Sequence, residues 1–103
     1  MSHIIDSVGN TPLIQIPYEK NKNVQVFAKC EWFNPSGSVK DRAAANMIKT
    51  GLESGVAKGK TLIDATSGNT GIAYALFGAS LGLNVELALP ENASEERKLI
   101  LQN

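Results

Sequence analysis

Thr61-Leu62-Ile63-Asp64-Ala65, Thr66-Ser67-Gly68-Asn69-Thr70-Gly71 and Ile72-Ala73-Tyr74-Ala75-Leu76-Phe77-Gly78-Ala79-Ser80-Leu81 follow one another directly, and their reading decides the fold. The first is a short apolar run that reads as a buried strand. The second is a tight Gly-containing turn, and the third is an apolar helix whose small residues allow close packing on a sheet. Gly82 stops that helix, Asn84 to Leu89 reads as another strand, and Pro90 to Ser94 leads to a last helix starting near Glu95. Upstream, Asp41 to Leu52 reads as a helix with Ala44, Met47, Ile48 and Leu52 as its apolar stripe, and Gly55 and Gly59 bracket its exit. The order helix, strand, helix, strand, helix predicts parallel strands joined by right-handed crossovers, with helices covering the sheet. The class is α/β.

The amino-terminal part reads differently. Val8 to Pro12 is a turn, Leu13 to Ile16 a short strand, and Val24 to Cys30 a half-buried strand with Val24, Val26, Ala28 and Cys30 on one face. Asn34-Pro35-Ser36-Gly37-Ser38 is a loop. At 103 residues the chain has room for one small domain. It ends at Leu99-Ile100-Leu101-Gln102-Asn103, inside an apolar helical pattern with no following strand, so a truncated, open sheet with a missing neighbour is expected.

Composition narrows the function classes. Ten Lys+Arg against ten Asp+Glu and 43% apolar residues describe an ordinary globular protein, and the balance gives no electrostatic support to a nucleic-acid or membrane partner. No apolar run approaches a membrane helix, and Met1-Ser2-His3-Ile4-Ile5-Asp6 lacks the features of a signal peptide, so a cytoplasmic location is expected. The single cysteine, Cys30, makes no intrachain disulfide and has no metal-ligand spacing around it. His3 stands alone, and no metal site is expected.

Two places carry candidate chemistry. Lys40 follows a Gly- and Pro-containing loop at the start of a helix, where the helix dipole and desolvation would disfavour its ammonium form and suit it to Schiff-base chemistry with a carbonyl compound. The competing reading is a solvated helix-end charge beside Asp41 and Arg42. Thr66 to Gly71 packs three hydroxyls, a carboxamide and two glycines between a strand and a helix. That composition suits a carboxylate or phosphate at a helix start, at the carboxyl end of a strand where α/β ligands sit. Its competing reading is an N-capping turn with Ser67 or Asn69 as the cap. Other patterns fail on context. Gly55 to Thr61 is one residue short of a Walker loop and runs from helix to strand, Gly68-Asn69-Thr70-Gly71 lacks the basic flanks of a KH loop, and no dinucleotide fingerprint occurs. Trp32 and Phe33 read as packing residues.

Taken together, Asn34-Pro35-Ser36-Gly37-Ser38-Val39-Lys40-Asp41-Arg42 and Thr66-Ser67-Gly68-Asn69-Thr70-Gly71 resemble two signature segments of the fold type II pyridoxal-phosphate enzymes, nearest to cysteine synthase (O-acetylserine sulfhydrylase) and cystathionine β-synthase. Asn10-Thr11-Pro12-Leu13 is similar to that family's amino-terminal segment. The resemblance runs along essentially the whole chain and covers the amino-terminal third of the family enzyme. It implies a tryptophan-synthase-β-like fold, with residues 1–36 contributing strands to the larger domain and residues 37–103 forming a small α/β subdomain truncated at its carboxyl end. By the same resemblance Lys40 holds the cofactor aldehyde and then serves as base and acid. Asn69 hydrogen-bonds the cofactor's ring hydroxyl, and Thr66, Ser67, Gly68, Asn69 and Thr70 bind the substrate α-carboxylate.

The reaction so implied is β-replacement on O-acetylserine or a related serine derivative, with sulfide giving cysteine. The family's phosphate cup is absent from this chain. The implied partners are a small amino-acid substrate and the missing carboxyl-terminal portion or a partner chain, with a homodimer for the complete enzyme and an isolated chain that is inactive. The alternative is a non-catalytic module derived from the same fold, presenting the Thr66 to Gly71 loop to a carboxylate or its open sheet side to a protein.

Overall fold

A computed structural model describes residues 3–66 and 68–102. β1 (Leu13–Ile16) and β2 (Val26–Lys29) form an antiparallel pair, with Leu13 opposite Lys29 and Ile16 opposite Val26. A single helical turn, Glu31–Phe33, and the loop 34–39 lead into α1 (Lys40–Glu53). Then come β3 (Leu62–Asp64), α2 (Asn69–Leu81), β4 (Val85–Leu87) and α3 (Glu95–Gln102). β3 and β4 pair in parallel, Leu62 beside Val85 and Asp64 beside Leu87, so β3-α2-β4 is the crossover unit that the alternation predicts.

The core lies between α1 and α2. Ala44, Ala45 and Ile48 on α1 meet Ala73, Tyr74 and Phe77 on α2, and Ile5 from the turn Ile4–Ser7 closes the cluster. Small side chains let the helices approach, and Tyr74 O–H donates to Met47 Sδ at 3.5 Å. On its sheet side α2 approaches β4 so closely that a Cβ at Gly78 would collide with Val85. Gly82, with φ 71°, ends α2, and the Leu83 N–H donates back to the Gly78 carbonyl at 2.8 Å.

Three expectations change. β3 is not fully buried: Ile63 is 71% exposed, because the helices cover one face of the strand and only β4 pairs with it among the described residues. Of the predicted α1 stripe, Ala44 and Ile48 are buried while Met47 and Leu52 lie at its exposed margin. Trp32 and Phe33 do not pack into the core. They are 61% and 64% exposed and touch each other with ring centroids 6.0 Å apart, because the turn that carries them directs Glu31 inward.

The link 54–61 carries the chain from the end of α1 to the start of β3, and β3 runs directly into the turn preceding α2. The start of α2 therefore lies at the carboxyl end of β3, which is where open α/β sheets place their ligands. Among the described residues no helix is long and apolar enough to cross a membrane.

Replacing Gly78 with Ala should lower stability by about 1–3 kcal/mol through overpacking against the stiff Val85, outweighing the ~1 kcal/mol helix-propensity gain. Urea unfolding monitored by circular dichroism reads this directly, and an increase in midpoint would refute the close approach.

Candidate active site

The start of α1 is held by a polar cluster assembled from three separate stretches of chain. At its centre is the Glu31 carboxylate. It receives Arg42 Nε at 2.7 Å on Oε2 and Arg42 Nη2 at 3.0 Å on Oε1, a two-pronged pair. Thr11 Oγ1 donates to Oε1 at 2.6 Å, and Asn34 Nδ2 donates to Oε2 at 2.9 Å. The same Asn34 amide reaches the carbonyls of Glu31 and Ser38 at 2.8 and 3.0 Å, while its Oδ1 accepts the Gly9 N–H at 2.8 Å. Thr11 and Asn34 are buried, and Lys29 Nζ donates to the Thr11 carbonyl. The Arg42 bonds, then the Thr11 hydroxyl, hold the Glu31 carboxyl down at about 2, against a smaller opposing push from burial.

Asp41 is fully buried. It accepts the Ser36 N–H at 2.7 Å and the Ser36 hydroxyl, and it sits in the first turn of α1, where a carboxylate suits the helix dipole. The Lys40 N–H donates to Ser38 Oγ at 3.1 Å. Lys40 thus has a fixed backbone on both sides, yet its side chain is exposed and no ion pair or hydrogen bond holds its amine among the described residues. Burial within this chain does not desolvate it, which corrects that part of the sequence expectation.

The second segment begins a helix earlier than its composition suggests. α2 starts at Asn69, so Asn69, Thr70 and Gly71 form its first turn, and the N-cap is Gly68 in extended conformation. Asn69 is therefore not the cap, and no described side chain caps the helix; Ser67 lies outside the described residues. The turn is tight. Gly68 N–H reaches Thr66 Oγ1 at 3.4 Å, and a Cβ on Gly71 would stand 2.8 Å from the Thr66 carbonyl oxygen. Thr66 and Thr70 are half-buried, and Gly68 and Asn69 exposed. No described side chain caps the first-turn N–H groups of α2, a condition that suits an anion.

Asn69 borders a cleft of about 210 Å³ with Ile72, Ser94, Glu96 and Ile100. No hydrogen bond or ion pair among the described residues joins Lys40 to the Thr66–Gly71 turn. What relates them is helix packing, with α1 on α2. Among the described residues no group of His, Cys, Asp or Glu could hold a metal ion.

The sequence pattern of the family described as "Pyridoxal-phosphate dependent enzyme" matches residues 4–103. The chain belongs to that family. It is 54% identical over 104 residues to a cysteine synthase of Aquifex aeolicus, covering 96% of this chain and 32% of the relative. It is 44% identical over 104 residues to a cystathionine beta-synthase of Dictyostelium discoideum, covering 99% of this chain and 21% of that protein. The crystal structure of cysteine synthase from Entamoeba histolytica superposes with a TM-score of 0.91 at 36% identity, over 99% of this chain and 32% of that one. The chain spans about a third or less of the length of the relatives it matches, and its mixed α/β architecture matches that portion of their structures.

The residues present fit part of what pyridoxal phosphate needs in this family. Among the described residues the Lys40 amine on its immobilised helix start has no partner, which suits the aldehyde, and the start of α2 has no side-chain cap, which suits the carboxylate of an amino-acid substrate. Sequence reasoning singled out Lys40 and the turn but missed the Glu31 cluster. Its visible trace was the Pro- and Gly-flanked Asn34 to Arg42 stretch, where Asn34 and Asp41 are residues that commonly hydrogen-bond local backbone.

The depressed Glu31 carboxyl has a pH consequence. Its contribution to stability is complete above its ordinary value of 4.5 and is lost as pH falls from there through about 2. Thermal melts across that interval should show a smaller acid-induced drop in Tm for Glu31→Gln than for the wild type; equal drops would refute the assignment.

Proposed function

We propose that this chain supplies the base-bearing and carboxylate-binding part of a cysteine-synthase-like enzyme that carries out β-replacement on O-acetylserine or a related serine derivative, sulfide giving cysteine. The observation that carries this reading is Lys40, an exposed amine without a described partner, set on a helix start immobilised by Ser36, Ser38 and Asp41. Support comes from the 54% identity to a protein named cysteine synthase. Pyridoxal phosphate, when bound, supplies an electron sink for the α-carbon.

The chain's own residues do the rest. Thr66, Thr70 and the N–H groups at the start of α2 take the substrate carboxylate, with Ser67 and Gly68 in the same turn, and so orient the α-carbon. Asn69 holds the cofactor's ring hydroxyl. Lys40 Nζ removes the α-proton, acetate departs from the β-carbon with the bonding pair, and sulfide forms the new carbon–sulfur bond there. Lys40 then returns a proton to the α-carbon. The cofactor phosphate is held by sequence outside these residues, and the working form is a homodimer of the longer protein.

The test is reassembly of the chain with the remaining portion of a cysteine synthase, followed by assay of cysteine formation. Lys40→Ala should cut the rate by about 10³-fold. Activity that survives the substitution overturns the reading. Carboxylate binding unchanged by it, with no activity in any assembly, would favour a non-catalytic binding module.

A further inference from the structure

We propose that Glu31 is a positioning residue for Lys40, acting through Arg42 and Asn34 on the first turn of α1. The inference rests on the reading of Lys40 given above. Lys40 cannot hold its own place: its amine is exposed and no described partner binds it. Everything that fixes it acts on the backbone to either side. On one side Asn34 Nδ2 holds the Ser38 carbonyl at 3.0 Å, and Ser38 Oγ accepts the Lys40 N–H at 3.1 Å. On the other, Arg42, two residues further along α1, is gripped at two points by Glu31 at 2.7 and 3.0 Å.

Both routes return to the Glu31 carboxylate, which also binds Asn34 Nδ2 at 2.9 Å. Its side chain is 19% exposed against 42% for Arg42, so the carboxylate is the more sheltered, central partner. Thr11 Oγ1, at 2.6 Å from Glu31 and within reach of Arg42 Nη2 at 3.3 Å, fixes the pair against the amino-terminal segment. Rotating the Arg42 head away would free the far side of the Lys40 turn, while Asn34 on the Ser38 carbonyl and Ser36 on Asp41 keep the helix start in place. The predicted result is a Lys40 side chain that swings rather than a helix that melts.

The experiment is trapping of pyridoxal phosphate on this chain with borohydride, followed by peptide mass mapping. The ratio of modification at Lys40 to that at the exposed Lys58 and Lys60 is the readout, since all three report on the same molecule. Wild-type protein should label Lys40 selectively. Glu31→Gln should cut the ratio by about tenfold or more, because an ångström-scale misplacement of a reacting group can cost up to about a hundredfold. Arg42→Lys, which keeps the charge but loses the two-pronged geometry, should give a smaller cut and serves if Glu31→Gln does not fold.

Ile48→Ala, which truncates the α1–α2 core without touching any hydrogen bond of the cluster, should lower Tm while leaving the ratio unchanged. A purely structural role for Glu31 would make Glu31→Gln behave like Ile48→Ala, and that result overturns the inference while leaving the reading of Lys40 intact. Even labelling of all lysines in the wild type also overturns it, because the cluster lies wholly within this chain. The reading of Lys40 is then decided separately by the reassembled enzyme.

Discussion

One carboxylate decides where the start of α1 sits. Glu31 receives bonds from Arg42, Thr11 and Asn34, and those residues belong to the helix, the amino-terminal segment and the intervening loop. An isolated exposed ion pair contributes little, but this one is two-pronged and extended by neutral donors, the geometry in which such pairs count. With the carboxylate in place, the buried Thr11 and Asn34 have their partners. Without it the buried Thr11 hydroxyl loses its acceptor, which is the more damaging condition, while Asn34 keeps its bonds to the Glu31 and Ser38 carbonyls and the Gly9 N–H. The start of α1, and with it Lys40, depends on that arrangement.

The second half of the molecule is fixed by shape instead of charge. α2 is apolar around its circumference and uses Gly71, Ala73 and Gly78 to approach the Thr66 carbonyl, α1 and β4. The chain cannot enter α2 without a tight turn, and no described side chain caps the helix start that follows it. The two halves meet at the α1–α2 core, with Ile5 packed into it, so the relation between Lys40 and the Thr66–Gly71 turn is set largely by how those helices seat on each other.

Much of this was legible in the sequence. Periodicity located α1, α2, α3 and all four strands, because apolar spacing and Gly/Pro punctuation are local signals. The Asn34 to Arg42 and Thr66 to Gly71 segments pointed to the family. The Glu31 cluster was not legible, since its partners lie 11, 20, 25 and 31 residues apart along the chain and only the fold joins them. Exposure at Ile63, Trp32 and Phe33 was also missed: periodicity says which residues share a face, not whether anything covers it. An apolar cleft of about 290 Å³ beside β3, and the span of a third or less of its relatives' length, accompany that open face.

Glu31 is a multiply bonded carboxylate and not a surface acid. Side-chain carbonyl NMR of the assigned Glu31, followed through an acid titration, distinguishes the two. A midpoint near 2 is the expected result, with the Arg42 guanidinium signals shifting over the same interval. A midpoint at the ordinary 4.5, with Arg42 unaffected, would mean that Glu31 is a solvated surface carboxylate without these partners.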